Sequence, residues 1–263
     1  MPLIMGVLNV TPDSFFDGGQ HATTDAAVAY GLDMVAAGAD VIDVGGESSR
    51  PGAEPVSERE ELARVLPVIA ALSSRVRVSV DTTKPEVAAA ACAAGASLLN
   101  DISASLWEVA ADNGVGWLAM HMQGTPRTMQ QDPRYGDVVA EVSGFLLARA
   151  TEALSAGVSE VWVDPGIGFG KTLTHNLTLL HHLDQLVAGA RAAGCTGVSV
   201  GTSRKWFIGM LARRGDGPAA PLDQRAEGSL ATAVAAMVAG AGMIRVHDVA
   251  ATAQAVRLYR PAA

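Results

Sequence analysis

Short apolar runs and amphipathic stretches alternate along the whole chain. The apolar runs fall at 3–8, 41–44, 76–80, 97–99, 116–120, 161–163, 198–200 and 243–246. Each reads as a strand buried on both faces. Between them, helical periodicity covers 25–37, 57–72, 85–94, 107–113, 137–156, 175–190, 204–213 together with 222–239, and 250–259. Start signals support several of these, such as Ser57 with Glu60 three residues on and Pro85 in a first turn. Gly38, Gly95, Gly157, Gly194 and Gly240 stand where helices end. Strict alternation of eight strands with helices predicts a parallel sheet with right-handed crossovers, and eight such strands close a (β/α)₈ TIM barrel. A doubly wound open sheet is the alternative, but it would carry G-x-G-x-x-G after its first strand, and that fingerprint is absent. No linker or low-complexity segment divides residues 1–263, so a single domain is expected.

Composition narrows the class without changing the fold. A chain of 263 residues buries roughly 75% of its unfolded surface. It is 49% hydrophobic and 17% charged, with a net charge of −8. That balance argues against broad attraction to nucleic acid or an acidic membrane, so an anionic substrate must be held by local Lys and Arg. Cys92 and Cys195 lie far apart without metal spacing, which argues against zinc and against a disulfide framework. With no apolar run long enough to span a bilayer and no signal-like N-terminus, the expectation is a cytoplasmic enzyme.

In a barrel, the C-terminal strand ends converge on one face. Read in order, those positions hold Asn9, Asp43 with Glu47 and Arg50 beyond it, Asp81, Asn100 with Asp101, His121, Asp164, Ser203 with Arg204 and Lys205, and Arg245 with His247. A single Asp or Asn there is most simply a cap or turn residue. Eight polar strand ends together are not. Asp81, Asn100 and Asp164 suit a flat heterocycle whose amidine-like edge gives a carboxylate two parallel N–H bonds. Asn9, Arg50, Lys205, Arg245 and His247 around a Gly-rich rim suit a phosphate or pyrophosphate. The segment PGIGFGKT imitates a P-loop, but Pro165 occupies the position of its first Gly, and a tight turn is the better reading. His175, His181 and His182 lack a carboxylate to complete a metal set and read as a solvated or interface face.

The stretches MGVLNVTPDSFFDGG, DVGGESSRPGA, SVDTTKPEVA, LNDIS, MHMQGTPRTMQ, VDPGIGFGKT, SVGTSRKWFIG and IRVHDV occur in that order between Met5 and Val249. Together they resemble the dihydropteroate synthase family of folate biosynthesis, the sulfonamide target. The resemblance implies a transferase that joins p-aminobenzoate to 6-hydroxymethyl-7,8-dihydropterin pyrophosphate and releases pyrophosphate. It assigns pterin binding to Asp81, Asn100, Ile102, Met120, Asp164, Lys205 and Arg245. Asn9, Arg245 and His247 would hold pyrophosphate, with Asn9 also helping to place Mg²⁺. Phe15, Ser49, Pro51, Phe169, Ser203 and Lys205 would frame p-aminobenzoate. Asp17, Ser49, Arg50, Asp81 and Lys205 would carry catalysis, with the loops bearing Asp17 and Arg50 closing over the site. The implied mechanism is dissociative and needs no protein nucleophile. Ser49 stands where Thr is frequent and Phe16 where a small polar residue is usual, both near the p-aminobenzoate side. Kinship also implies a homodimer, for which the Ala-rich segments 222–239 and 250–259 could supply an interface.

Overall fold

The eight apolar runs become the strands β1 (Leu3–Asn9), β2 (Val41–Gly45), β3 (Arg77–Asp81), β4 (Leu98–Asp101), β5 (Gly116–Met120), β6 (Val161–Asp164), β7 (Gly197–Val200) and β8 (Met243–Val246). The computed structural model describes residues 1–11, 24–49, 52–213 and 215–259. All strand pairs are parallel and follow chain order, and β1 pairs with β8 to close the barrel. The ladder carries the chain one residue or more past the apolar run in β1, β2, β3, β4 and β6. In all of these but β2, the polar residue at the end belongs to the strand. Those side chains are therefore fixed by sheet hydrogen bonds and not by loops.

Outside the barrel lie α1 (Thr24–Ala37), α2 (Glu58–Leu72), α3 (Pro85–Ala93), α4 (Trp107–Asn113), α5 (Val138–Ser155), α6 (Leu173–His181), α7 (Leu183–Ala192), α8 (Trp206–Ala212), α9 (Ala226–Val238) and α10 (Val249–Leu258). Ser57 caps α2, accepting from the Glu60 N–H at 3.3 Å. The helix expected at 175–190 divides at His182, whose backbone leaves helical geometry (φ −111°, ψ 23°). It also begins earlier, because Thr172 and His175 form a reciprocal cap. His175 is thus a capping residue, while His181 and His182 are exposed as expected. The segment expected at 222–239 is a 3₁₀ turn (Leu222–Gln224) followed by α9. No helix among the described residues is long and apolar enough to cross a membrane.

Two layers of buried side chains account for the periodicity of the strands. Ile4, Ile42, Leu99, Val163 and Ile244 belong to the large cluster between sheet and helices. Their neighbours Met5, Val41, Leu98, Leu118, Trp162 and Met243 form a second cluster that fills the barrel interior. Successive residues of a strand face opposite sides, so moving two residues on from this plug stays inside the barrel. That step reaches Asp43, Asn100, Met120, Asp164 and Arg245. The interior therefore changes from apolar to charged within one layer. At the other end, Arg77 and Glu160 pair at 2.6–2.9 Å.

Candidate active site

Arg245 organises the charged layer. Its Nε donates to Asp43 Oδ2 at 2.6 Å and its Nη2 to Asp81 Oδ2 at 2.7 Å. Asp43 Oδ2 also accepts from Asn100 Nδ2 at 2.9 Å. One guanidinium and one amide thus tie together side chains from β2, β3, β4 and β8. Burial alone would lower the basicity of Arg245, but Asp43 and Asp81 outweigh it and hold the guanidinium charged. Burial raises the Asp81 carboxyl to about 7; Arg245 opposes this, and Asp43, Glu61 and Asp101 add to it. Asp43, 0% exposed, is a site residue to which the sequence reading gave no role. The available signal was a carboxylate in the middle of the otherwise apolar run VIDVG.

A second group stands on β6 and the turns after β6 and β7. Asp164 Oδ1 accepts from the Gly166 N–H at 2.8 Å. Gly166 has φ 63°, and a Cβ there would lie 1.8 Å from the His121 carbonyl oxygen, so only glycine lets the turn pack this closely. The turn reading of PGIGFGKT holds. Lys205 Nζ donates to the Ile167 carbonyl of that turn and lies 4.7 Å from the centre of the Phe169 ring. Burial lowers Lys205 to about 8, against the pull of Asp164. Burial also raises Asp164, while Lys205 and the Gly166 N–H act to lower it.

Arg204 turns the other way from Lys205. Its left-handed backbone (φ 57°) sends its N–H to Ser229 Oγ at 2.9 Å and its guanidinium to Asp248 at 2.6 Å. This conformation delays the start of α8 until Trp206, two residues later than the pattern predicted. Ser203 Oγ lies 3.0 Å from His247 Nδ1 and accepts from the His247 N–H at 3.2 Å, so these two predicted ligands share one edge. Asn9 stands at the end of β1 opposite Gly45. A Cβ on Gly45 would come within 3.3 Å of Asn9 Oδ1 and 3.5 Å of Asp81 Cβ, so the glycine backbone packs closely against both side chains. Met120 and Ile102 are buried wall residues. Ser49 borders a cavity of about 100 Å³ together with Asp81 and Ile102. Phe15, Phe16, Asp17, Arg50 and Pro51 lie outside the described residues.

Two strand-end groups prove to be framework. Asp101 accepts from the N–H groups of Ser103, Ser105 and Leu106 and from Trp117 Nε1 at 2.7–3.1 Å, closing the loop into α4. His121 is buried, and its Nδ1 lies 2.9 Å from Lys171 Nζ. Burial, reinforced by Lys171, pushes the imidazole down to about 3, so it is neutral. Lys171, 1% exposed, was not anticipated as a site-supporting residue. Its Nζ also donates to the carbonyls of Phe169 (3.0 Å) and His121 (3.3 Å), fastening the glycine turn to β5.

Burial, with Lys205 adding to it, lowers Lys171 from 10.5 to about 7. Between those values the unfolded chain binds a proton that the fold does not, so alkali favours the fold. Denaturant titrations should show wild type gaining stability over Lys171→Met as pH rises above about 7, by up to about 1.4 kcal/mol per pH unit. A pH-independent difference between pH 7 and 10 would contradict this.

Residues 5–247 match the family of pterin binding enzymes. Dihydropteroate synthase of Escherichia coli (strain K12) is 45% identical over 271 residues, covering 98% of this chain and 90% of that protein. A Yersinia pestis dihydropteroate synthase crystallised with a sulfonamide drug complex superposes with a TM-score of 0.89 at 44% identity, over 98% of this chain and 92% of that one. The Xanthomonas albilineans enzyme with 4-aminobenzoic acid gives 0.87 at 45% identity with the same two coverages. In another crystal, dihydropteroate synthase from that organism is in complex with 7,8-dihydropteroate, with a TM-score of 0.82 at 43% identity and the same coverages. A match of this extent in sequence and in fold leaves one assignment: the chain belongs to the pterin-binding enzyme family.

Proposed function

We propose that this barrel, acting as one domain, is a dihydropteroate synthase that condenses p-aminobenzoate with 6-hydroxymethyl-7,8-dihydropterin pyrophosphate. The observation that carries the reading is the convergence of Asp164, Lys205, Asn100, Asp81 and Arg245 on the charged layer of the barrel. A buried carboxylate such as Asp164 suits the paired N–H donors of a 2-aminopyrimidinone edge. Met120 and Ile102 supply apolar wall for the flat ring, and Arg245, already aligned by two carboxylates, supplies a guanidinium plane to stack on it.

His247 and Arg245 would hold the leaving pyrophosphate, and Phe169 with Lys205 offers an aromatic face and a cation for p-aminobenzoate, with Ser203, bonded to His247, beside them. The side-chain carbonyl of Asn9, at the end of β1 beside Gly45, is the kind of oxygen donor that suits Mg²⁺ carried on the pyrophosphate. When bound, the ion neutralises charge on the leaving group. The C–O bond to pyrophosphate breaks with its electron pair on oxygen, and the cation left on the methylene is delocalised into the pterin ring. The arylamine lone pair then forms the C–N bond and the nitrogen loses a proton. Asp81 borders the cavity with Ser49 and Ile102 and, when ionised, can stabilise the developing charge. Asp17 and Arg50 enter this proposal from the sequence alone.

Leu222, Val238, Leu258 and Tyr259 are exposed apolar side chains at the C-terminal end of the chain, and we propose a homodimer through that region. Light scattering should give twice the mass of one chain; a monomer at assay concentration would refute pairing. For the reaction itself, pyrophosphate release should require both Mg²⁺ and p-aminobenzoate and should match dihydropteroate formed. Asp164→Asn should bind the pterin pyrophosphate at least about a hundredfold more weakly. A wild-type protein that binds the pterin but yields no dihydropteroate, or a variant of unchanged affinity, would overturn the respective claim.

A further inference from the structure

One cation ties together three elements around the cavity that Ser49 and Asp81 border. Lys84 follows Asp81 by three residues, at the start of α3. Its Nζ bonds to Glu47 on the loop after β2 and to Glu61 on α2. Glu47 Oε2 also accepts from the Val56 N–H at 3.2 Å, so the same carboxylate pinches both ends of the loop that carries Ser49. Arg64 on α2 adds a bond to the Gly46 carbonyl at 2.7 Å. On the far side, the Gly52 N–H reaches the Pro126 carbonyl beyond β5 at 3.2 Å.

The position of Glu61 makes this more than a surface ion pair. Glu61 is 1% exposed, and its Oε1 has no hydrogen-bond partner. A buried carboxylate is tolerated at this cost only with a cation against it. Both Glu47 and Glu61 line the cavity, with Ser49, Asp81, Ile102 and Met122 around them. Lys84 therefore reaches the space beside Asp81 through two carboxylates. Burial works against its charge, but the bonds to Glu47 and Glu61 outweigh burial and raise it above its ordinary value, so the staple persists across the working pH range.

We propose that Lys84 is a positioning residue whose bonds to Glu47 and Glu61 hold the stretch from Gly46 to Ser49 against the cavity beside Asp81 and so limit the access of water to a substrate carbon bound there. The inference rests on the dihydropteroate synthase reading above. A pterin methylene cation can be captured by the arylamine or by water. Capture by water forms a C–O bond, the oxygen loses a proton, and the product is 6-hydroxymethyl-7,8-dihydropterin with pyrophosphate released. A loosened loop should shift that partition, whereas general damage to the fold should not.

The test uses the full-length protein, with products separated by chromatography and binding of the pterin pyrophosphate measured by calorimetry. Lys84→Met should raise the share of the hydrolysis product and the arylamine KM by about tenfold each, with pterin affinity held within about threefold. Lys84→Arg should recover most of the wild-type partition. If Lys84→Met does not fold, Glu47→Gln should shift the partition in the same direction, because it keeps the acceptor oxygen and removes the charge. An unchanged product ratio in the folded variant overturns the proposal, as does a parallel loss of pterin affinity and turnover at constant ratio. Wild-type protein that makes no dihydropteroate removes the parent reading and this inference with it; normal wild-type synthesis with an unshifted variant removes this inference alone.

Discussion

A guanidinium shared between a fully buried carboxylate, Asp43, and a nearly buried one, Asp81, is the constraint on which the rest of the site depends. Arg245 on β8 cannot be buried unpaired, and neither can Asp43 on β2 or Asp81 on β3. Each therefore fixes the others, and Asn100 is fixed through Asp43. Buried ion pairs contribute little net stability, because desolvation offsets the attraction. Their value here is geometric: the polar layer is set before a ligand arrives, on strands that cannot shift without breaking sheet hydrogen bonds. A pocket assembled in this way loses little binding energy to reorganisation.

The two ends of the barrel divide the work. Met5, Val41, Leu98, Leu118, Trp162 and Met243 fill the interior with apolar volume. One step further along the strands, Asp43, Asn100, Asp164 and Arg245 replace it with polar and charged groups. Asp164 also anchors the turn that follows β6, and Lys171 holds that turn to β5 from the side. The same logic recurs at the loop after β2, where Lys84 joins Glu47 and Glu61. Lysines thus serve this protein twice as fasteners behind the surfaces that face the ligand.

Much of this was legible in the chain. Apolar runs located all eight strands, and polar residues ending those runs pointed to the barrel mouth. The strand ends were underestimated because hydrophobicity stops at Leu8, Val80, Leu99 and Val163, whereas the hydrogen-bond ladder runs on through Asn9, Asp81, Asn100 and Asp164. The break at His182 leaves the amphipathic spacing on either side nearly intact, so periodicity alone merged α6 with α7. The pairing of Arg245 with Asp43 spans 202 residues and has no local signature. Lys171 was hidden for a different reason: reading its segment as a tight turn gives the lysine no partner, and only packing shows it pointed at His121.

If Arg245, held by Asp43 and Asp81, builds the surface on which the pterin pyrophosphate binds, its removal must weaken that binding. Calorimetric titration of that ligand into folded Arg245→Met tests it most directly. The affinity should fall at least about a hundredfold below wild type, since a buried and a nearly buried carboxylate lose their partner and the ligand loses its stacking plane. An affinity within about threefold of wild type would contradict it.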